Sequence, residues 1–213
     1  AFVAGRMGAL FGRPVGDALR FEEAAGLVAL ELLREGGAIA GARCRAPRPL
    51  APGPEVPRAI IAELAGLSEA DILQGRFRPR FASVGAEFLL AEVTADALER
   101  ARPDTDAFRR HEGHVGQSGG FLGLHLHVRD SNDPARLDVR MFAPLSGVVE
   151  DPATGSAAAA LGAFLNSLRP GESRFLLSQG RHIGRPSEIL TEVRGDGVWI
   201  GGPCAPFASG ELR

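Results

Sequence analysis

Residues 150–168 read EDPATGSAAAALGAFLNSL, and the charged side chains of this stretch are confined to its first two positions. The part from Gly155 to Leu168 has the length of a helix and carries no charge. A helix that is apolar on every side is expected to be buried on every side. Its N-terminus still presents unpaired backbone N–H groups and the positive end of the helix dipole. The sequence therefore predicts a buried helix over residues 155–168 whose N-terminus binds a small anion, such as a substrate carboxylate or phosphate.

The turn before this helix carries the candidate site residues. Asp151 stands directly before Pro152, whose ring fixes the backbone φ angle. Thr154, Gly155 and Ser156 bring backbone N–H groups and hydroxyls to the helix N-terminus, which can hold a carboxylate without a basic side chain. Asp151 could exchange a proton with a substrate or bind an ammonium group. The alternative is that Asp151 or Thr154 is only an N-cap, and spacing alone slightly favours that interpretation.

The composition indicates an ordinary soluble globular chain. It has 213 residues, of which 45% are hydrophobic and 23% charged, and its formal net charge is -2. No block of Lys and Arg suggests a nucleic-acid partner, and no apolar run has the length of a membrane span. The first residues lack the pattern of a signal peptide. Cys44 and Cys204 lie far apart without zinc-type spacing, so we expect two reduced thiols in a cytoplasmic protein.

Short strands dominate the predicted elements. They are expected around residues 19–22, 26–33, 43–45, 81–93, 120–128, 137–142, 173–177, 188–193 and 197–200. Short helices are expected at 58–64, after Ser68 and from Thr94 to Ala101, and residues 1–10 as the end of a helix. Residues 46–57 hold five prolines and predict an irregular surface connection. Because strands do not alternate regularly with helices, we expect a mostly antiparallel sheet wrapped around the buried helix rather than a doubly wound parallel sheet.

Three blocks of the chain resemble the PhzF-like phenazine-biosynthesis family. Residues 140–144 and 150–157 match its Arg-x-Phe-x-Pro and Glu-Asp-Pro-x-Thr-Gly-Ser-Ala signature. Residues 81–89 resemble its mid-chain Ser-x-Gly strand, and residues 179–187 resemble its Gln-Gly-x-x-x-Gly-Arg-Pro-Ser segment. The Asp-Pro-x-Thr-Gly-Ser-Ala block is the specific one, and the other blocks support it. Together they cover most of the chain from about Phe81 onward.

The resemblance implies an α+β, diaminopimelate-epimerase-like fold. Such a fold has two similar halves, each a curved, mostly antiparallel sheet around a central helix, and both helix N-termini point into the cleft between the halves. Residues 1–45 would be the remainder of an incomplete first half, whose last strands come from the C-terminal end of the chain. Residues 46–57 would connect it to the second half at 58–190, which holds the buried helix 155–168. Residues 191–213 would supply the C-terminal strands.

The resemblance also implies an isomerase that moves a proton between carbon atoms of a small cyclic amino or carboxylic acid, without cofactor or metal, as a homodimer. Asp151 would assist the proton movement, and Thr154, Gly155 and Ser156 would bind the substrate. The family's first half also carries a catalytic Glu and a Gly-His-Pro-Thr-x-Gly turn, and neither is found in this sequence. We therefore expect that the 213-residue chain cannot isomerise substrate by itself.

Two other functions remain open at this point. A two-cysteine racemase shares the implied fold, but it would need a cysteine where this chain has Ser156. A protein of this fold could also bind a small carboxylate or a partner protein without catalysis.

Several other residues invite alternative interpretations. A zinc site at His111, His114, His125 and His127 would need three or four converging ligands, so scattered surface or half-buried histidines are the simpler interpretation. The loop 116–120 lacks the Lys-Ser/Thr ending of a nucleotide-binding loop and is taken as a turn. Arg140 is expected to pair with an acidic side chain, with contact to a ligand as the alternative. Ser156 lacks the Gly-x-Ser-x-Gly context of a hydrolase nucleophile.

Overall fold

The structure is a computed structural model that describes residues 6–10, 12–23, 26–113, 123–171 and 173–206. It is an α+β fold in which a large curved sheet is combined with few helices. The strands are β1 Ala9–Leu10, β2 Arg13–Pro14, β3 Ala18–Glu23, β4 Gly26–Glu35, β5 Ala38–Arg45, β6 Ala51–Glu55, β7 Arg80–Ser83, β8 Glu87–Glu92, β9 Leu124–Arg129, β10 Arg136–Ala143, β11 Val148–Asp151, β12 Arg174–Gln179, β13 Ser187–Arg194 and β14 Gly197–Pro203. The α-helices are α1 Arg58–Ala65, α2 Ala95–Arg100, α3 Thr105–His111 and α4 Gly155–Leu168, and short 3-10 turns lie at Glu69–Asp71, Pro144–Ser146 and Arg181–Ile183.

The main sheet follows the strand order β3-β4-β5-β14-β13-β12-β10-β9-β8-β7-β6, with β11 paired to β10. Its pairings are antiparallel except for β10 with β12 and β8 with β9, which are parallel. The expectation of a mostly antiparallel sheet is therefore confirmed. Strand β14, near the end of the chain, pairs with β5 and joins the strands before residue 46 to the rest of the sheet.

Helix α4 lies inside the curve of this sheet, and its predicted bounds agree with the structure. Every residue from Ala157 to Leu165 is buried. The helix packs against β7, β8, β12, β13 and β14, which explains why it has no polar face. A Cβ atom at Gly162 would lie 2.5 Å from Oγ1 of Thr191 on β13. The glycine therefore permits the close approach of the helix to the sheet.

A second apolar cluster lies on the opposite face of β7 to β10 and is covered by α1, α2 and α3. Strand β8 contributes to both clusters. Its residues Phe88 and Leu90 pack in the cluster with α4, whereas Leu89 and Ala91 pack in the second cluster. Because both faces of this strand are buried, its sequence is a continuous apolar run and does not alternate.

Two sequence predictions of local structure are wrong. The chain is helical at Arg6 and Met7 but enters β1 at Ala9, so no helix continues to Leu10; residues 1–5 lie outside the described part. The stretch 46–57, expected to be irregular, contains strand β6. Its prolines are tolerated because β6 is at the edge of the sheet, where only β7 pairs with it.

One short element differs in type from the sequence prediction, and two others were not predicted. The helix expected after Ser68 is a 3-10 turn in which the Asp71 carboxylate accepts hydrogen bonds from the backbone N–H and hydroxyl of Ser68. Helix α3 and strand β11 were not predicted. With seven and four residues respectively, they are too short to show a clear hydrophobic period.

The expected acidic partner of Arg140 is Glu150, which lies on β11. Arg140 Nε and Nη2 donate to the two carboxylate oxygens of Glu150 at 3.0 and 2.7 Å. Arg140 Nη1 also donates to the carbonyl oxygens of Leu98 and Ala101, at 2.8 and 2.9 Å. The two side chains of the ion pair are only 3% and 7% exposed. This buried pair fixes β11 against β10 and so determines where the chain enters the turn at Asp151.

Among the helices that the structure describes, none combines the length and the apolar character required to cross a membrane.

Candidate functional site

A cleft of about 1300 Å³ opens at the N-terminus of α4. Gly155, Ser156 and Ala159 line it from the helix. The surrounding wall comes from β5, β14, the end of β12 and the start of β13, and from the connection around Pro47. The N-terminal end of the buried helix is therefore accessible from the cleft.

The first turn of α4 leaves backbone donors free. The first helical hydrogen bond runs from the Ala158 N–H to the Thr154 carbonyl oxygen, at 3.0 Å. Within the described ranges, the N–H groups of Gly155, Ser156 and Ala157 have no hydrogen-bond partner. The first turn holds no acidic side chain. The free N–H groups carry the partial positive charge of the helix end and favour a bound anion on the cleft side, while the Asp151 carboxylate contacts the N-cap residue Thr154.

Thr154 is buried and does not line the cleft. Its hydroxyl donates to Oδ2 of Asp151 at 2.6 Å and accepts a hydrogen bond from Nε2 of Gln179 at 3.0 Å. Its backbone N–H donates to Oε1 of Gln179 at 3.2 Å. Thr154 is thus held by hydrogen bonds on both its side chain and its backbone.

The structure brings Asp151 and Thr154 together and places Gly155 and Ser156 on the cleft. Asp151 is half-buried, and its side chain is not among the groups that line the cleft. Its backbone carbonyl oxygen accepts a hydrogen bond from Nε2 of Gln179 at 2.6 Å. The catalytic role of Asp151 and the substrate-binding roles of Thr154, Gly155 and Ser156 stay predictions.

Gln179 is a site residue that sequence reasoning did not single out. Its side chain, buried with the residue 1% exposed, joins three atoms of the turn 151–154. The signal was present in the Gln-Gly block, but nothing in that block showed which groups the glutamine would contact. The next residue, Gly180, has φ +79°, and a Cβ atom there would overlap the carbonyl oxygen of Arg185.

Ser187 provides a further contact between the two segments. Its hydroxyl donates to the carbonyl oxygen of Pro152 at 2.7 Å. The segment 179–187 therefore supports the turn 151–154 through both Gln179 and Ser187.

The cleft carries charges of both signs. Arg48 lines it, as do Asp138 of β10 and Glu188 of β13, which both pair with Ser178 of β12. Arg181 also lines the cleft and donates to Oε1 of Glu99 at 2.6 Å. Cys44 and Cys204, which form no disulfide, line the cleft as well.

The histidines do not form a metal site in the part of the chain that the structure describes. His125 and His127 are fully buried on the face of β9 that looks toward α4, and their ring nitrogens have no described hydrogen-bond partner. Burial lowers the pKa of His125 to about 3 and, as the main cause, holds the pKa of His127 well below its usual value. His111 instead contacts Glu63, and His114 and the loop 116–120 lie outside the described residues. Across the described ranges, no group of three or more His, Cys, Asp or Glu side chains could hold a metal ion.

The fold belongs to the class of PhzF and proline-racemase-like epimerase folds. A PhzF-family phenazine biosynthesis protein from Bacillus anthracis has a TM-score of 0.74 at 17% identity, over 94% of this chain and 69% of that one. A hydroxyproline epimerase from Agrobacterium vitis, solved with bound trans-4-hydroxy-L-proline, has a TM-score of 0.52 at 16% identity, over 87% and 56% of the two chains. At these identities the likeness concerns the fold alone.

Sequence comparison then gives the family: residues 4–210 match the phenazine biosynthesis-like protein family PhzC-PhzF, and the chain belongs to it. An uncharacterized isomerase of Deinococcus radiodurans is 35% identical over 94% of this chain and 67% of its own length. The trans-2,3-dihydro-3-hydroxyanthranilate isomerase of Pseudomonas aeruginosa is 32% identical over 91% and 66% of the two chains.

A predicted epimerase of Pseudomonas aeruginosa, whose structure is solved, is 32% identical with a TM-score of 0.68, over 89% of this chain and 66% of that one. The chain spans about half to two thirds of the length of the curated relatives it matches.

Proposed function

We propose that this chain is a PhzF-like isomerase of the kind that moves a proton between carbon atoms of a small cyclic amino or carboxylic acid without a cofactor, and that the 213 residues alone bind the substrate without turnover. The observation that carries the proposal is the row of free N–H groups at the N-terminus of α4, which opens into the cleft. The family supports it, because the relatives named above are isomerases and epimerases. The same proposal includes a homodimer, implied by the resemblance, and a cytoplasmic location, expected from the two reduced cysteines.

The backbone of α4 would bind the substrate carboxylate. The N–H groups of Gly155, Ser156 and Ala157 point out of the first turn and have no described partner, so a carboxylate oxygen can accept from them. The Ser156 side chain is exposed and adds a hydroxyl donor at the same place. No arginine or lysine is needed to hold the anion.

Asp151 would assist the proton movement from beside this carboxylate. The Thr154 hydroxyl occupies its Oδ2 atom, and Oδ1 has no partner among the described residues. Oδ1 is therefore the oxygen that would exchange a proton with substrate, and it would have to turn toward the cleft, which the Asp151 side chain does not line. Thr154 would affect the substrate indirectly, by holding Asp151 and the turn 151–154 in place, because its hydroxyl is already bonded to Asp151 and Gln179.

An amino group on the substrate fits the charges of the cleft. Asp138 and Glu188 provide carboxylates on the cleft wall, and a bound ammonium group would be attracted to them. The substrate of the related P. aeruginosa enzyme, an anthranilate derivative by its name, carries both a carboxylate and an amino group on one ring. We therefore propose a cyclic amino acid of this kind as the substrate class.

The test is a nuclear magnetic resonance titration of the ¹⁵N-labelled chain with 3-hydroxyanthranilate. The account predicts saturable shifts of the Gly155, Ser156 and Ala157 amide signals, because a hydrogen-bonded carboxylate changes the environment of these protons. Shifts confined to other regions, or none, would contradict carboxylate binding at α4.

Turnover is tested separately with trans-2,3-dihydro-3-hydroxyanthranilate in D₂O. For the 213-residue chain we expect binding without deuterium incorporation, because its sequence has no counterpart of the family's Glu and Gly-His-Pro-Thr turn. Deuterium in the product would show that the chain finds another base and would overturn this part of the proposal alone.

A second candidate is epimerisation of a cyclic amino acid, favoured by the similarity to the predicted epimerase of P. aeruginosa. Inversion at the α-carbon of trans-4-hydroxy-L-proline in D₂O, with deuterium incorporated only at that carbon, would favour this reaction over a proton shift between two carbons. The two-cysteine form of the reaction has no support at the helix N-terminus, where Ser156 stands. A version of the chain that also carries the family's Glu and Gly-His-Pro-Thr turn could be tested in the same way. Binding of either probe by that version without turnover would favour a protein that only binds carboxylates.

A further inference from the structure

The hydroxyl of Thr154 does not occupy the capping position that its place in the chain would allow. Thr154 is the N-cap residue of α4, has φ -110° and ψ 84°, and makes no capping hydrogen bond with its side chain. Thr94 is the N-cap residue of α2, has φ -69° and ψ 156°, and accepts from the Ala97 N–H at 3.2 Å. The same residue type therefore caps one helix of this chain and leaves another uncapped.

Two side chains account for the difference. Asp151 Oδ2 accepts the hydroxyl proton of Thr154, and Gln179 Nε2 donates to the hydroxyl oxygen. Gln179 Oε1 also accepts from the backbone N–H of Thr154, which restrains the backbone at this residue. The hydroxyl is thereby held away from the N–H groups of the first turn of α4.

We propose that Gln179 is a positioning residue that keeps the N-terminus of α4 free for its ligand by holding Thr154 out of the capping position. The inference rests on the proposed function, in which those N–H groups bind a carboxylate. A capping hydroxyl accepts from the second or third N–H of a helix, and these are the groups of Ser156 and Ala157. Cap and carboxylate compete for the same donors, so a side chain that removes the cap favours the ligand.

The experiment compares Gln179→Met with the double variant Gln179→Met, Thr154→Val. Amide hydrogen exchange at Ser156 and Ala157 is measured without ligand, and affinity is measured with 3-hydroxyanthranilate. In Gln179→Met the Thr154 hydroxyl still donates to Asp151, but its oxygen no longer accepts from Gln179 and can accept from the first turn of α4. Exchange at one of these amides should then slow about fivefold and affinity should fall about fivefold. Valine has the shape of threonine without the hydroxyl. The double variant should therefore return to within about twofold of the original exchange rate and affinity.

Ser187→Ala is the matched control, because it removes the hydroxyl's bonds to the backbone carbonyls of Pro152 and, at 3.4 Å, of Gln179, and leaves the side-chain contacts of Gln179 with Thr154 intact. It should keep the original exchange rate at Ser156 and Ala157. If Gln179→Met does not fold, Gln179→Leu replaces it, since leucine likewise can neither donate to nor accept from Thr154.

Two results would overturn the positioning role. One is unchanged exchange at both amides in the Gln179 variant. The other is a double variant that binds as weakly as the single one, because the loss would then come from a loosened turn and not from a cap. If the unaltered chain does not bind the probe at all, the proposed function fails, while the exchange measurement still decides the role of Gln179.

Discussion

At the scale of single residues, buried polar groups with complete sets of partners hold the frame around the site. Arg140 is the main example: it joins β10 to the carboxylate of Glu150 and to two backbone carbonyl oxygens at the end of α2. A guanidinium group suits this position because its planar donors match the carboxylate in a bidentate pair. Glu150 directly precedes Asp151, so loss of the pair should disturb the position of the turn at the site.

We expect Arg140→Met to destabilise the protein by about 3–5 kcal/mol, because it leaves Glu150 buried without its partner. The measurement is the free energy of unfolding from urea denaturation. Arg174→Ala is the control, since Arg174 is exposed and pairs with Glu192 at the surface, and it should change stability by less than about 1 kcal/mol. Equal effects of the two variants would show that burial of the Arg140 pair is not what matters.

Gly162 is the second residue on which the packing of α4 depends. Gly162→Ala brings a Cβ atom to 2.5 Å from Thr191 Oγ1, so we expect a loss of about 1–3 kcal/mol despite the better helix propensity of alanine. The control is Gly75→Ala, where no neighbouring atom lies within 4 Å of the new Cβ. Adding Thr191→Ala to Gly162→Ala should recover part of the loss in urea denaturation. A Gly162→Ala variant as stable as the original chain would mean that α4 can move away from β13 without penalty.

At the scale of elements, strand β9 places two neutral imidazoles next to α4. His127 stacks on Phe77, whose ring meets Phe164 of α4 edge to face. Desolvation lowers the pKa values of both histidines, so the folded protein binds fewer protons than the unfolded chain in mildly acidic solution. Acid should therefore weaken the packing of β9 against the helix.

The expected pH dependence follows from these depressed pKa values. The contribution of the two neutral histidines to stability is fully present above the unfolded pKa of about 6.5. It is lost as the pH falls toward about 3, where His125 becomes protonated in the folded state. Each histidine contributes a slope of up to about 1.4 kcal/mol per pH unit within this window. We expect the variant His125→Leu, His127→Leu to show a flatter decline between pH 6.5 and 4.5 in urea denaturation.

Above pH 7 both imidazoles are neutral in the folded and the unfolded chain. The plots of unfolding free energy against pH for the original chain and for the double variant should therefore run parallel there. Curves that are also parallel below pH 6 would contradict the assignment of the acid sensitivity to β9.

At the scale of the whole molecule, a curved sheet encloses one helix and leaves its N-terminus at a cleft. The burial of α4 was predicted from its fourteen residues without charge, and its start from Asp-Pro-x-Thr-Gly-Ser. The antiparallel sheet was predicted from the many short strands, and the cleft from the family resemblance. The sequence also predicted that Arg140 would pair with an acid. These features depend on local composition or on one specific motif, which is why sequence is sufficient for them.

Other parts of the site could not be predicted because they depend on contacts between distant segments. Gln179 lies 25 residues after Thr154, and only the pairing of β12 beside β10 and β13 brings it to the turn. Likewise, the hydroxyl of Thr154 looked like a cap in sequence, but the side chains of Asp151 and Gln179 prevent that. The edge position of β6, which makes its prolines acceptable, is also a property of the assembled sheet.

The most direct test of the account is a crystal structure of the chain soaked with 3-hydroxyanthranilate. The account predicts that the ligand lies in the cleft with a carboxylate oxygen about 2.7–3.2 Å from at least two of the backbone nitrogens of Gly155, Ser156 and Ala157. A ligand bound elsewhere, or a helix N-terminus covered by protein atoms in the crystal, would contradict the claim that this end of α4 receives the substrate.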